Sequence, residues 1–158
     1  MKTEIELNGK YEIINSLLVE IFNKILKFET ISIRKLTKNK LTVAEVHTLE
    51  AIGFDKVRTM TVVAKKLGIT VSTLTTCINR LVQRGLVERT RIEEDRRIVC
   101  LKLTETGKHI VFIHKHFHTN LIKAAIKGIN DSQIDVLIKC LDNIVKNFGN
   151  VDVVKQII

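Results

Sequence analysis

A chain of 158 residues, 45% of them hydrophobic, is long enough to bury one core, and 26 basic against 17 acidic residues give it a formal charge of +9. No stretch approaches the roughly 18 uninterrupted apolar residues of a membrane span, and the start, MKTEIELNGK, has acidic residues where a secretory signal needs an apolar run, so a cytoplasmic globular subunit is expected. A glycine-rich phosphate loop, H-E-x-x-H, G-x-S-x-G and a carboxylate pair set in a cleft are all missing, which argues against an enzyme and against a resident cofactor.

In chain order, residues 10–28 carry Ile13, Ile14, Leu17, Leu18, Ile21, Phe22, Ile25 and Leu26, a wide apolar face for a long first helix, and a basic linker is expected through Lys40. Thr42 and Glu45 form a T-x-x-E capping box opening a second helix that ends near Ile52. A short helix over about 61–67, a tight turn through Gly68 and a fourth helix over 71–84 follow. Its buried stripe is expected from Leu74, Ile78, Leu81 and Val82. After Gly85 the period changes to two: Val87, Arg89 and Arg91, then Val99, Leu101 and Leu103, predict a β-hairpin with a charged tip. Long helices are expected from Thr104 to about Lys127 and from Asp131 to about Asn147, with glycines as helix stops at Gly53, Gly68, Gly85, Gly128 and Gly149. The two terminal helical regions are apolar on more than one face, more than a chain of this size can cover, which predicts a homodimer. Cys77, Cys100 and Cys140 lie inside apolar patterns and form no C-x-x-C pair, so buried reduced thiols are expected.

The charge is concentrated in the middle. Between Lys56 and Leu103 stand eleven basic and four acidic side chains, the footprint of a polyanion partner. The fourth helix, however, carries Ser72, Thr73, Thr75, Thr76 and Asn79 opposite its apolar stripe, where Lys and Glu usually stand. Short neutral side chains offering donors, acceptors and methyl groups suit base edges in a major groove; Glu would repel phosphates, and Lys would bind them without reading sequence. These five are the candidate base readers, with Lys65, Lys66 and Arg80 as candidate phosphate contacts. At the hairpin tip, Asp95 beside Arg96 and Arg97 suggests an acid that holds one arginine extended toward a narrow minor groove. Two helices, a tight turn, a reading helix and an arginine-tipped hairpin make a mainly α winged helix-turn-helix with a small β-hairpin wing. The division expected within one subunit, 1–158, is a winged-helix DNA-binding region over 41–103 between dimerisation helices over 10–40 and 104–158. Double-stranded DNA is the expected partner.

The run from Leu41 to Gly107, with LTVAEVHTLEAIG, TVSTLTTCINRLVQRGLVER, EEDRR and LKLTETG, resembles the MarR family of bacterial and archaeal transcriptional regulators. That resemblance implies a homodimer with two recognition helices in successive major grooves of a pseudo-palindromic operator and the wings in the flanking minor grooves; Asp95 and Arg97 match the wing pair, and Ser72 to Asn79 the reading helix. VHTLEAIG and HKHFH look most like the FabT branch, repressors of fatty-acid synthesis genes whose co-repressor is a long-chain acyl group on acyl carrier protein. With it go an effector pocket, for which Phe22, His47, His114, Phe117 and His118 are candidates, and a basic stretch, Arg34, Lys35, Lys38 and Lys40, to meet the acidic carrier. The alternative is a zinc-responsive or other small-ligand-responsive repressor of the same family. His114 and His118 stand i, i+4 apart, and with His47 and either Glu20 or Glu29 they supply a set of zinc ligands like that of some zinc-responsive relatives.

Overall fold

The computed structural model describes residues 2–38, 40–91, 93, 95 and 97–148. They fall into two compact units, one running to Phe117 and the other beginning at His118.

In the first unit, α1 (Lys2–Thr37) is a single helix of 36 residues, so the expected basic linker is largely helical. From Asn8 to Phe28 all its side chains are exposed, including the apolar face around Ile14, Leu18 and Phe22. The last stretch differs: Glu29, Ile33 and Thr37, one turn apart, are buried. Thr37 closes the helix by donating its hydroxyl to the Ile33 carbonyl at 2.7 Å and accepting the Leu41 N–H at 3.2 Å.

α2 (Val43–Ile52) starts where the capping box put it. Thr42 Oγ1 accepts the Glu45 N–H at 3.2 Å, and Glu45 Oε2 accepts the Thr42 N–H at 2.9 Å. Buried Glu45 has a second duty, because Arg84 Nη1 donates to its Oε1 at 3.0 Å. β1 (Arg58–Thr59), α3 (Met60–Leu67), α4 (Val71–Gln83), β2 (Val87–Arg91) and β3 (Val99–Leu103) follow. β2 and β3 form the expected antiparallel hairpin, with Val87 opposite Leu103. β1, too short to show a period in sequence, pairs with the free edge of β3 and makes the sheet order β1-β3-β2. The core joins Val46, Leu49 and Ile52 of α2 to Val63 of α3, Leu74, Ile78 and Leu81 of α4, Leu101 and Leu103 of β3, and Ile33 of α1. Val82, expected on the buried stripe, is 38% exposed: it lies one residue past Leu81, already turned off the inward face.

α5 (Glu105–Ala125) begins with a backbone lock. Thr104 donates its N–H to the Leu86 carbonyl at 3.1 Å and its hydroxyl to the Gly85 carbonyl at 2.7 Å, while its Oγ1 accepts the Gly107 N–H at 3.1 Å. A Cβ on Gly107 would stand 2.2 Å from the Leu86 oxygen, so only glycine lets the first turn of α5 lie against the turn that links α4 to β2. In the second unit, α6 (Asp131–Phe148) opens on a reciprocal cap: Asn130 Oδ1 accepts the Gln133 N–H, and Gln133 Oε1 the Asn130 N–H. Val136, Ile138 and Val145 of α6 are exposed. Cys100 is buried and Cys77 half-buried, but Cys140 is exposed, against expectation, because no described residue of α6 is buried within the single chain. Gly149 and the tail from Val151 lie outside the described residues.

Gly107→Ala must push backbone apart, and a loss of about 1–3 kcal/mol is expected in denaturant unfolding, the usual range for overpacking; a midpoint equal to the parent's would disprove the lock. Burial pushes the Glu45 carboxyl up, but the Thr42 N–H and hydroxyl and the Arg84 guanidinium outweigh it and leave the group below its ordinary value. A depressed carboxyl stabilises the fold fully above its unfolded value, about 4.3, and loses that contribution as pH falls through the folded value. The thermal midpoint should therefore fall more steeply below about pH 4.3 in the parent than in Glu45→Gln.

Candidate nucleic-acid interface

Thr59 and Thr70 cap the two helices of the reading motif, each hydroxyl accepting the N–H three residues on, and Gly68 closes α3 in the left-handed conformation at φ 66°. This sets α4 after a turn of three residues with Leu74, Ile78 and Leu81 fully buried, which forces its other face outward. Ser72, Thr73, Thr76, Asn79 and Arg80 are exposed and Thr75 half-buried, so the neutral face lies on the surface as expected. Lys65 and Lys66, in the last turn of α3, are exposed beside it.

The hydroxyls are not equivalent. Thr70 Oγ1 lies 2.9 Å from both Ser72 Oγ and Thr73 Oγ1, so three hydroxyls share one network at the start of α4. Thr75 donates its proton to the Val71 carbonyl at 2.8 Å, which leaves it a lone pair and a methyl group to present. Asn79 Oδ1 accepts from Arg89 Nη1 at 3.2 Å, an arrangement between α4 and β2 that spacing along the chain gave no reason to expect.

At the wing tip Asp95 forms a turn, and among the described residues its side-chain partner is a backbone N–H. Asp95 Oδ1 accepts the backbone N–H of Arg97 at 2.9 Å, and the Asp95 carbonyl accepts the Ile98 N–H at 3.0 Å. A short aspartate reaches its own backbone two residues on more readily than it holds a long side chain, and the turn leaves the Arg97 guanidinium exposed. Arg96 lies outside the described residues. Between α4 and the wing a cleft of about 340 Å³ is lined by Thr75, Arg89, Arg97, Val71 and Ile98, among others.

A profile described as MarR family matches residues 39–98. The crystal structure of Streptococcus pneumoniae FabT in complex with DNA is similar at 35% identity, covering 89% of this chain and 99% of that one with a TM-score of 0.83. The chain belongs to the MarR family. Its members are transcriptional regulators, and the chain has their winged helix-turn-helix. The Bacillus subtilis repressor YetL is 30% identical over 86 residues, 53% of this chain and 50% of that protein, and B. subtilis YhjH, an HTH-type transcriptional regulator, 29% over 82 residues, 52% and 47%. The chain thus spans about half the length of the curated relatives it matches. A mutant MarR from E. coli complexed with operator DNA, 24% identical over 82% of this chain and 91% of that one at a TM-score of 0.65, shares the fold.

This MarR-family chain has a second polar constellation where α1, α2 and α5 meet. Glu29 Oε1 accepts from His47 Nε2 at 2.6 Å and from His114 Nε2 at 3.0 Å, and Glu50 Oε1 lies 2.7 Å from His114 Nδ1. Glu29, His47 and His114 each bring one ligand atom within 4.8 Å of the others, so these three could hold a metal ion. Glu20, the other candidate acid, pairs instead with Lys24. His118 follows one turn along α5 and opens the second unit. Phe117 stacks on the His114 ring at 6.2 Å, whereas Phe22 is 71% exposed and joins none of them. Glu50, which spacing did not single out, also lines an apolar cavity of about 490 Å³ with Gly53, Phe54, Val111, Phe112 and Lys115.

His114 is 1% exposed. Burial pushes its imidazole toward the neutral form, but the carboxylates of Glu50 and Glu29, one at each ring nitrogen, raise it above its ordinary value. A raised imidazole stabilises the fold fully below its unfolded value, about 6.5, and the contribution disappears as pH climbs through the folded value. In chelator, the thermal midpoint should drop as pH rises above about 6.5, and Glu50→Gln should flatten that drop; a parent profile level across this range would contradict the double pairing.

Proposed function

We propose that the protein is a homodimeric, sequence-specific DNA-binding repressor of fatty-acid synthesis genes, with long-chain acyl carrier protein as co-repressor. The observation that carries the DNA reading is the outward face of α4: Ser72, Thr73, Thr76 and Asn79 are exposed and uncharged, with Lys65, Lys66 and Arg80 beside them. Neutral donors and acceptors discriminate base edges, and the flanking cations bind phosphate whatever the sequence. Arg97, freed at its side chain by the Asp95 turn, reaches for the minor groove.

The exposed apolar face of α1 from Ile13 to Phe28 supports dimerisation through this helix. Two reading helices then sit about one turn of DNA apart, roughly 34 Å, and an effector acts by favouring or opposing that separation. The branch assignment rests on the similarity to FabT along nearly the whole chain. The exposed Arg34, Lys35, Lys38 and Lys40 at the end of α1 offer an acidic carrier protein a complementary surface.

A DNA-binding assay on the gene's own upstream region, with and without long-chain acyl carrier protein, tests both levels. Tightening of about tenfold, or 1.4 kcal/mol of coupling, is expected. No change would remove the co-repressor and leave DNA binding standing; equal competition by random duplex would remove sequence-specific regulation itself. Arg97→Ala should weaken binding and lower the slope of log affinity against log salt by about one. Light scattering showing a stable monomer at micromolar concentration would overturn the dimer.

A zinc-responsive repressor is the second reading, favoured by one observation. Glu29, His47 and His114 converge, and Glu50 stands on the far ring nitrogen of His114, the place of an outer carboxylate that orients a ligating imidazole. Zinc would have to displace the proton on His114 Nε2. The i, i+4 spacing puts His118 on the same side of α5. Stoichiometric zinc in protein purified without chelator, with DNA affinity that follows zinc, would replace the acyl-carrier reading; protein free of zinc would end this one.

A further inference from the structure

We infer that Arg89 sets the base preference of Asn79 by holding its amide so that only donors face the groove. The inference rests on the DNA-reading assignment of α4 and adds a specificity-determining residue outside that helix.

An asparagine side chain has two ends, an oxygen that accepts and an NH₂ that donates, and its orientation decides which of them a base meets. Arginine has donors only. The 3.2 Å approach of Arg89 Nη1 can therefore be made only to Oδ1, and chemistry alone fixes which way the Asn79 amide is turned. The backbone supports this geometry. β2 starts four residues after the end of α4, across the Gly85 turn, and Arg89 in its middle stands opposite Leu101 of β3, whose full burial pins the strand. Both Arg89 and Asn79 are exposed, so the pair lies at the surface that meets DNA and not in the core.

Asparagine reads adenine through both ends at once, the oxygen accepting from N6 and the NH₂ donating to N7. With one lone pair of Oδ1 held by a guanidinium, the amide is turned away from that double contact, and the positive charge repels the adenine amino group. What the arrangement favours is the pair of N–H donors in a positive field. The matching partner is an acceptor-only edge, either guanine N7 and O6 or thymine O4. The other Arg89 donors stay available to a phosphate.

The test is selection of bound duplexes from a randomised pool by the full chain at fixed salt, for the parent, Asn79→Ala and Arg89→Met. The parent should select a motif in which one position per half-site favours guanine or thymine. Asn79→Ala should flatten that position alone, and Arg89→Met should raise adenine there by about fivefold or more, the scale of a restored paired contact. Replacing guanine at this position by 7-deazaguanine separates the two acceptor edges: weaker binding assigns guanine, and an enriched thymine assigns O4. Adenine already favoured by the parent, an Asn79→Ala motif identical to the parent's, or an Arg89→Met variant with evenly lower affinity and unchanged preference would each overturn the inference while leaving sequence-specific binding intact. A parent that selects no motif would bring down the DNA-reading assignment with it. Melting curves for the variants confirm folding, which substitution at two exposed positions should not disturb.

Discussion

The carbonyl of Leu86 is the point at which the reading head is tied to the helices around it. It lies in the turn between α4 and β2, accepts the Thr104 N–H, and has the Cα of Gly107 against it with no room for a side chain. Because the same residues start α5, the end of the reading helix, the root of the wing and the beginning of α5 share one rigid joint. Arg84, the residue that caps α4, extends the joint to α2 through buried Glu45. An ion pair with one partner buried is sensitive to loss of the other, so α4 is held in direction as well as in place. The groove reading proposed for α4 would need that, since a side chain displaced by an ångström no longer meets its base.

The pairing of apolar interior with neutral exterior on α4 has a chemical logic. Leu74, Ile78 and Leu81 use the inward face for burial, and threonines, poor helix formers, tolerate the outward face because their hydroxyls find backbone or hydroxyl partners there. A helix dressed with lysine and glutamate would be more stable alone and less discriminating against DNA. On the proposed reading such a surface gives up helix propensity for recognition, and the core beneath it makes up the difference.

Much of this was legible in the chain because it is local. A T-x-x-E box, the glycines that follow α2, α3 and α4 and a change of period from 3.6 to two are properties of neighbouring residues, and α2, α3, α4 and the hairpin lie within a residue or two of where they predict. The end of α1 was misread because Arg34, Lys35 and Lys38 look like a linker, while the signal that extends the helix, Glu29, Ile33 and Thr37 at intervals of four, has only one apolar member. The two residues of β1 are too few for any period. Histidine spacing marks His114 and His118, and the family resemblance adds His47, but the choice of Glu29 over Glu20, and the presence of Glu50, depend on which helices pack together. The bond from Arg89 to Asn79 is likewise tertiary, and the Asp95 turn depends on backbone geometry that residue types alone do not give.

The unbroken length of α1 has a mechanical side. A helix of 36 residues is about 54 Å long, its last two turns are embedded among the core residues of α2, and the remainder projects with bare apolar surface. It is a stiff lever clamped at one end. The arm from Glu29, where it meets His47 and His114, to the start of the helix is about 40 Å, so a rotation of only about 5° there displaces the far tip by about 3.5 Å. A small change at one buried carboxylate is thereby geared up into a displacement of several ångströms at the other end of the helix.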